Sequence, residues 1–131
     1  MFGMAIIVSI ALAFGFALLQ LSLVFGAPFG EYVLGGQRRV LPMKMRIVSC
    51  FFSLFFVIVG VSWLQVAGAI DGLLHPQFTK ALLIIHTLFL AYAIIGNGLI
   101  TKSKKEKYVM TPISIAGFLC GLFVLLTNSI T

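Results

Sequence analysis

The amino-acid sequence predicts an all-α integral membrane protein, a single antiparallel four-helix transmembrane bundle over residues 1–131, and three observations carry that expectation. Hydrophobic residues make up 61% of the chain and charged ones 9%, too little polar side chain to coat a soluble globule of this length. Four apolar runs each approach the ~20 residues a helix needs to cross ~30 Å of hydrocarbon. The basic residues crowd into two of the three segments between those runs, so the net charge of +6 reads as a topology signal and not as a nucleic-acid-binding one.

The first span, about 2–25, has no charged side chain. It lacks the basic start and the short core of ~7 to 15 residues of a signal peptide, so it is expected to be retained. Ala5, Ser9, Ala13 and Ala17 recur every fourth residue, a strip of small side chains that lets a neighbouring helix approach closely in lipid. The second span, about 47–70, repeats this device with Ser49, Ser53, Gly60 and Ala67 and fills its other faces with Phe51, Phe52, Phe55 and Phe56. Trp63, in its last third, fits either an interfacial anchor or ordinary packing.

The connection 71–80 holds Gly72 and Pro76, which mark a turn, and Thr79 is the expected cap of the next helix. The third span, about 81–100, carries His86 and ends in Gly96-Asn97-Gly98. After the basic and exposed stretch 101–108, Pro112 is placed to open a fourth span, about 113–130, in which Gly117 and Gly121 form a GxxxG pair suited to close helix contact. Cys50 and Cys120 both fall inside spans, an arrangement that predicts no structural disulfide.

Orientation follows from the loops. Arg38, Arg39, Lys44 and Arg46 lie in loop 26–46, and Lys102, Lys104, Lys105 and Lys107 in loop 101–112, against Lys80 alone in the middle connection. Eight against one predicts a cell (inner) membrane protein with loops 26–46 and 101–112 cytoplasmic and both termini outside. The expected partners are membrane lipids, with anionic headgroups at the cytoplasmic face, and a second copy of the chain if it transports, because four short helices line little pathway alone.

The run Gly26-Ala27-Pro28-Phe29-Gly30-Glu31-Tyr32, followed by Gly35-Gly36-Gln37-Arg38-Arg39-Val40-Leu41-Pro42, resembles a group of small bacterial four-pass membrane proteins that often carry tryptophan at the position of Phe29. The likeness resumes at Asn97, Ser103, Glu106-Lys107 and Pro112. It implies the same topology and a bacterial origin, and it brings no activity with it.

Loop 26–46 is the polar centre of the chain, and Glu31, Tyr32, Gln37, Arg38 and Arg39 are its candidate binding residues. No catalytic set emerges. Asp71 is expected on the opposite side of the membrane from Glu31 and Glu106, and those two, surrounded by eight basic side chains, are expected in exposed ion pairs. His75 and His86, separated by Pro76, make no metal or haem pair, Gly35-Gly36 lacks the context of a phosphate loop, and no cofactor is implied.

The intramembrane polar residues are Gln20, Gln65, His86 and Asn97. An unpaired amide or imidazole in hydrocarbon costs several kcal/mol, so all four are expected to face inward, His86 near Gln65 in the outer half and Gln20 near Asn97 at the inner mouth. Two functional classes stay open. One is a non-enzymatic binding or accessory module or small-solute carrier. The other is a membrane-interface enzyme acting on a lipid or isoprenoid through Glu31, Tyr32 and the arginines.

Overall fold

The computed structural model describes residues 2–32 and 38–127. Its helices are α1 (Phe2–Val24), α2 (Met43–Val66), α3 (Pro76–Ile95) and α4 (Thr111–Thr127), and a short 3-10 turn covers Gly30–Tyr32. A widened π turn, Gly96–Ile100, prolongs α3, and a second, Glu106–Met110, precedes α4. Counted with these turns, the four apolar helices run 22 to 25 residues, or roughly 33–38 Å at 1.5 Å per residue, and each is long enough to cross a membrane. The protein is an all-α, multi-pass membrane bundle.

The helices stand in a ring. α1 packs on α2 and on α4, α3 packs on α4, and α2 meets α3 along the shortest of the four seams. Pairings such as Ser53 with Ala17, and Gly121 with Thr87, run in opposite chain directions, so sequence neighbours are antiparallel. Ala5, Ile6, Ala13, Val59, Trp63, Leu83 and Val124 form the core.

The small-residue strip of α1 faces inward along its whole length, with Ala5, Ser9, Ala13 and Ala17 all buried. On α2, Ser49, Ser53 and Gly60 answer it: Ser53 Oγ donates to Ala17 O across the seam, and a Cβ on Gly60 would stand 2.7 Å from the Phe14 ring. Ala67 does not join them, because it lies past the last turn of α2 and is exposed. The GxxxG pair also makes close contact, Gly117 with Leu90 and Leu12, and Gly121 with Thr87 and Trp63. Trp63 is fully buried in the core and so takes the packing role, not the interfacial one.

Helix boundaries differ from the expected spans for local reasons. α2 starts at Met43 and stops at Val66, where Gly68 takes φ +81° and Ala69 N–H and Gly68 N–H donate to Leu64 O and Gln65 O. α1 ends in the same way at Gly26, with φ +91°. Only glycine enters that left-handed conformation without strain, so both helices terminate there. α3 starts at Pro76 and is capped by His75, whose Nδ1 accepts from Gln77 N–H. Proline suits a first helical position because its missing N–H would have had no helical partner. Thr79 is therefore a buried residue of the first turn and not the cap.

At the other end, Ser103 Oγ accepts from Glu106 N–H, so the fourth helix begins near Lys104 and not at the expected position 113. The π turn Glu106–Met110 ends two residues before Pro112, whose ring gives no N–H and would press on a carbonyl four residues back in a regular α-helix.

Candidate functional site

One end of the bundle gathers most of the chain's polar chemistry, in two separate places. The outer place is the surface of loop 26–46. Gly30 N–H donates to Arg39 O (2.8 Å), and a Cβ on Gly30 would fall on the backbone oxygen of Arg38, so this crossing of the loop over itself requires glycine. Leu41 pins the crossing by burying against Leu23, with Tyr32 and Met45 alongside. Arg46 Nε donates to Leu41 O (2.8 Å) and ties the start of α2 to the same point.

Residues 101–105, a short loop and the first helical residues after it, close over this from the far side. Ser103 Oγ donates to Glu31 O (2.7 Å), Lys105 Nζ lies 3.0 Å from Glu31 Oε2, and the same ammonium stands 5.7 Å from the centre of the Tyr32 ring. Glu31 is thus in an ion pair as expected, although the pair is half-exposed and not fully exposed. Such pairs contribute about 0–1 kcal/mol, so the contact positions the loops more than it stabilises them. Arg38 and Arg39 are exposed, and Gln37 lies outside the described residues.

The inner place is a cavity of about 380 Å³. Phe16 and Gln20 of α1, Phe52 and Phe56 of α2, and α3 from Phe89 through Asn97 form most of its wall, with Ile100, Thr101, Glu106 and Ser114 closing the loop end. It lies where α2 and α3 meet least closely. The reason is the side chains: Phe52, Phe55, Phe56 and Phe89 cluster with ring centroids 5.4–6.3 Å apart, mostly edge to face, and bulky rings hold these two backbones apart.

Both π turns supply the polar end of this wall. An added residue in a turn rotates the helix beyond it by about 100° relative to a straight α-helix. Asn97 lies in the first such turn and Glu106 opens the second. Asn97 Nδ2 donates to Ser114 Oγ (3.3 Å), which ties α3 to α4 at this level. Gln20, on the facing α1 wall, is 7% exposed, and its Oε1 has no hydrogen-bond partner among the described residues. Glu106 is 5% exposed. The expectation that it sits in an exposed ion pair is therefore corrected: the cap at Ser103 turns it into the bundle.

Gln20 and Asn97 share the cavity wall at one level, as antiparallel threading predicts. Gln65 and His86 do not meet. The Gln65 amide both donates to Leu74 O (2.8 Å) and accepts from Leu74 N–H (2.9 Å), because it lies in the last turn of α2, within reach of a connection whose backbone needs both kinds of partner. His86 is inward and 4% exposed, flanked by the Phe55 and Phe56 rings at 6.1 Å each, one turn before the cavity wall begins at Phe89. Neither of its ring nitrogens has a hydrogen-bond partner among the described residues.

The sequence carried one unread signal for this site. Ser103-Lys-Lys-Glu106 has the spacing of a capping box, which places Glu106 in a first helical turn and not in a loop. Fold and site together define a multi-pass helical membrane protein with a partly polar, half-open cavity. No family model, curated protein or solved structure matches the chain, so the site is read from its own chemistry.

Proposed function

We propose that this chain is a non-enzymatic binding module or small-solute carrier of the cell (inner) membrane, which takes a small, largely apolar molecule into the cavity between α2 and α3. One observation carries the reading: the cavity has aromatic walls at mid-helix and a polar end formed by Gln20, Asn97, Glu106 and Ser114. Its volume lies within the ~300–1,000 Å³ range of small-molecule sites, which are mostly apolar with a few placed polar groups. Glu31, the residue on which an enzyme reading rested, does not line it.

In this proposal loops 26–46 and 101–112 face the cytoplasm and both termini lie outside, supported by the eight-to-one distribution of basic residues. Exposed Arg38, Arg39, Lys102, Lys104 and Lys107 then meet anionic headgroups, each contributing ~1 kcal/mol near a charged surface.

The test is mass spectrometry of the protein purified in mild detergent. A small molecule is expected that is released on unfolding and absent from Ala93→Trp, in which the indole fills the cavity. Recovery of only bulk lipid, in equal amount from both proteins, sinks the binding reading. Orientation is tested separately with single cysteines at Lys104 or Gln77 in a Cys50→Ser, Cys120→Ser background. Labelling of position 77 and not 104 by an impermeant maleimide on intact cells is expected, and the opposite pattern inverts the topology.

A further inference from the structure

We propose that the cavity takes its ligand sideways out of the bilayer, and that the ligand is one hydrocarbon chain of a lipid from the leaflet next to loops 26–46 and 101–112. This rests on the binding reading above and names both the class of molecule and its route. Position decides the route. Apart from Thr101, every wall residue belongs to one of the four apolar spans. The loop end is closed by Ile100, Thr101, Glu106 and Ser114, and α1 backs the space with Phe16 and Gln20, so the opening is the loose α2–α3 seam. Tyr92, 68% exposed, forms its lip on α3. It stands about 12 Å inside the end of its span at 1.5 Å per residue, where the surroundings are hydrocarbon and not water. A solute arriving from water would need the end that is closed.

Shape narrows the occupant. α3 lines the space with Ala93 and Gly96, and a Cβ on Gly96 would meet nothing within 4 Å, so the slot reaches down to the helix backbone. It follows α3 from Phe89 to Asn97 and on to Thr101, about 12–18 Å, and a volume of about 380 Å³ over that length leaves a mean cross-section of roughly 20–30 Å². A single flexible hydrocarbon chain fills such a slot, and a second chain beside it does not fit.

Polarity runs along the same axis. Phe52, Phe56 and Phe89 wall the part nearest the middle of the membrane, and Gln20, Asn97 and Ser114 the part nearest the loops. A lipid of that leaflet has the same order, with its chain towards the bilayer middle and its ester end towards the surface, so the chain slides in without turning over. Gln20 Oε1, buried and without a partner among the described residues, marks the polar end of the slot. It fixes which way the lipid lies, and any hydroxyl donor at the ester end or from the interface serves it.

Two photoactivatable phosphatidylglycerols test this, one with a diazirine near the carbonyl end of its chain and one with it near the methyl end. Each is mixed at low mole fraction into phosphatidylcholine nanodiscs holding the full chain, and adducts are located by peptide mass spectrometry after irradiation. Surrounding lipid labels only outer faces, such as exposed Leu18, Phe51 and Leu88. A chain in the slot also labels Gln20, Phe56 and Leu90, the last two each 3% exposed. The carbonyl-end probe is expected to favour Gln20 and Asn97, and the methyl-end probe Phe56 and Phe89. Ala93→Trp and Gly96→Leu, which fill the slot from α3, should remove the cavity adducts and keep those on Leu18, Phe51 and Leu88, whose persistence reports an intact bundle.

Absence of adducts on Gln20, Phe56 and Leu90 in the unmodified protein overturns the assignment, as do adducts there that both filling variants retain or a reversed order of the two probes. If no chain enters but the purified protein carries a water-soluble molecule that Ala93→Trp loses, the lipid assignment falls and the cavity reading stands. If neither is found, both fall. The positions of the adducts on the unmodified protein need no variant to decide the matter.

Discussion

The α1–α2 seam and the α2–α3 seam share a helix and are built in opposite ways. Towards α1, α2 presents Ser49, Ser53 and Gly60, and the seam closes until a serine hydroxyl bonds a backbone carbonyl across it and a ring lies on a glycine. Towards α3 it presents Phe52, Phe55 and Phe56 against Phe89, and the seam stays open enough to hold a cavity. In lipid there is little water exclusion to drive helices together, so contact depends on how closely backbones can approach. Small residues make that approach, and aromatic residues prevent it. One helix can thus serve as structural spine on one face and as cavity wall on another.

The sharpest way to break this comparison is Gly60→Leu. The Phe14 ring already occupies the space a first side-chain carbon would need, and overpacking a filled interior typically costs 1–3 kcal/mol, so roughly 3 kcal/mol and a marked fall in the midpoint of thermal unfolding in detergent are expected. An unchanged midpoint would mean the seam is not packed.

Ala13→Leu, at the fully buried centre of the α1 strip, should come next at roughly 2 kcal/mol. It should exceed Leu12→Ala, because Leu12 is only half-buried beside Gly117. The reverse order, read in the same unfolding assay, would place the strip towards lipid.

Ser103→Ala removes an N-terminal cap, worth ~1 kcal/mol, together with the bond to Glu31 O. Its distinguishing readout is local: amide hydrogen exchange of residues 104–108 should accelerate while that of α1 does not, and uniform exchange across the bundle would count against the cap. The smallest effect belongs to the open seam. Ala93→Leu adds three carbons facing the cavity and is expected to shift stability by less than about 0.5 kcal/mol in either direction. A loss comparable to that of Ala13→Leu would show this seam to be as closed as the other.

Much of this architecture was legible in the order of residues. The four spans, the inward α1 strip, the GxxxG contact and the shared level of Gln20 and Asn97 all follow from helical period and antiparallel threading, which are local or nearly local rules. Helix ends were less legible. Gly68, His75 and Ser103 each set a boundary through backbone conformation or a single side-chain bond, signals one residue wide that composition does not reveal.

Polar pairing divided along the same line. A serine near a carbonyl on the facing helix follows from a strip, but the partner of Gln65 depended on how residues 67–75 turned back, and its amide is engaged on both sides by the nearby Leu74 backbone. Sequence by itself determined that the chain crosses a membrane several times and which faces of α1 and α2 are narrow, because length, hydropathy and period are properties of one segment. Tertiary structure alone decided that Glu106 turns inward while Glu31 stays at the surface, and that a cavity lies beside the former. Those outcomes rest on two π turns, one cap and four rings meeting from separate helices, and no single segment contains them.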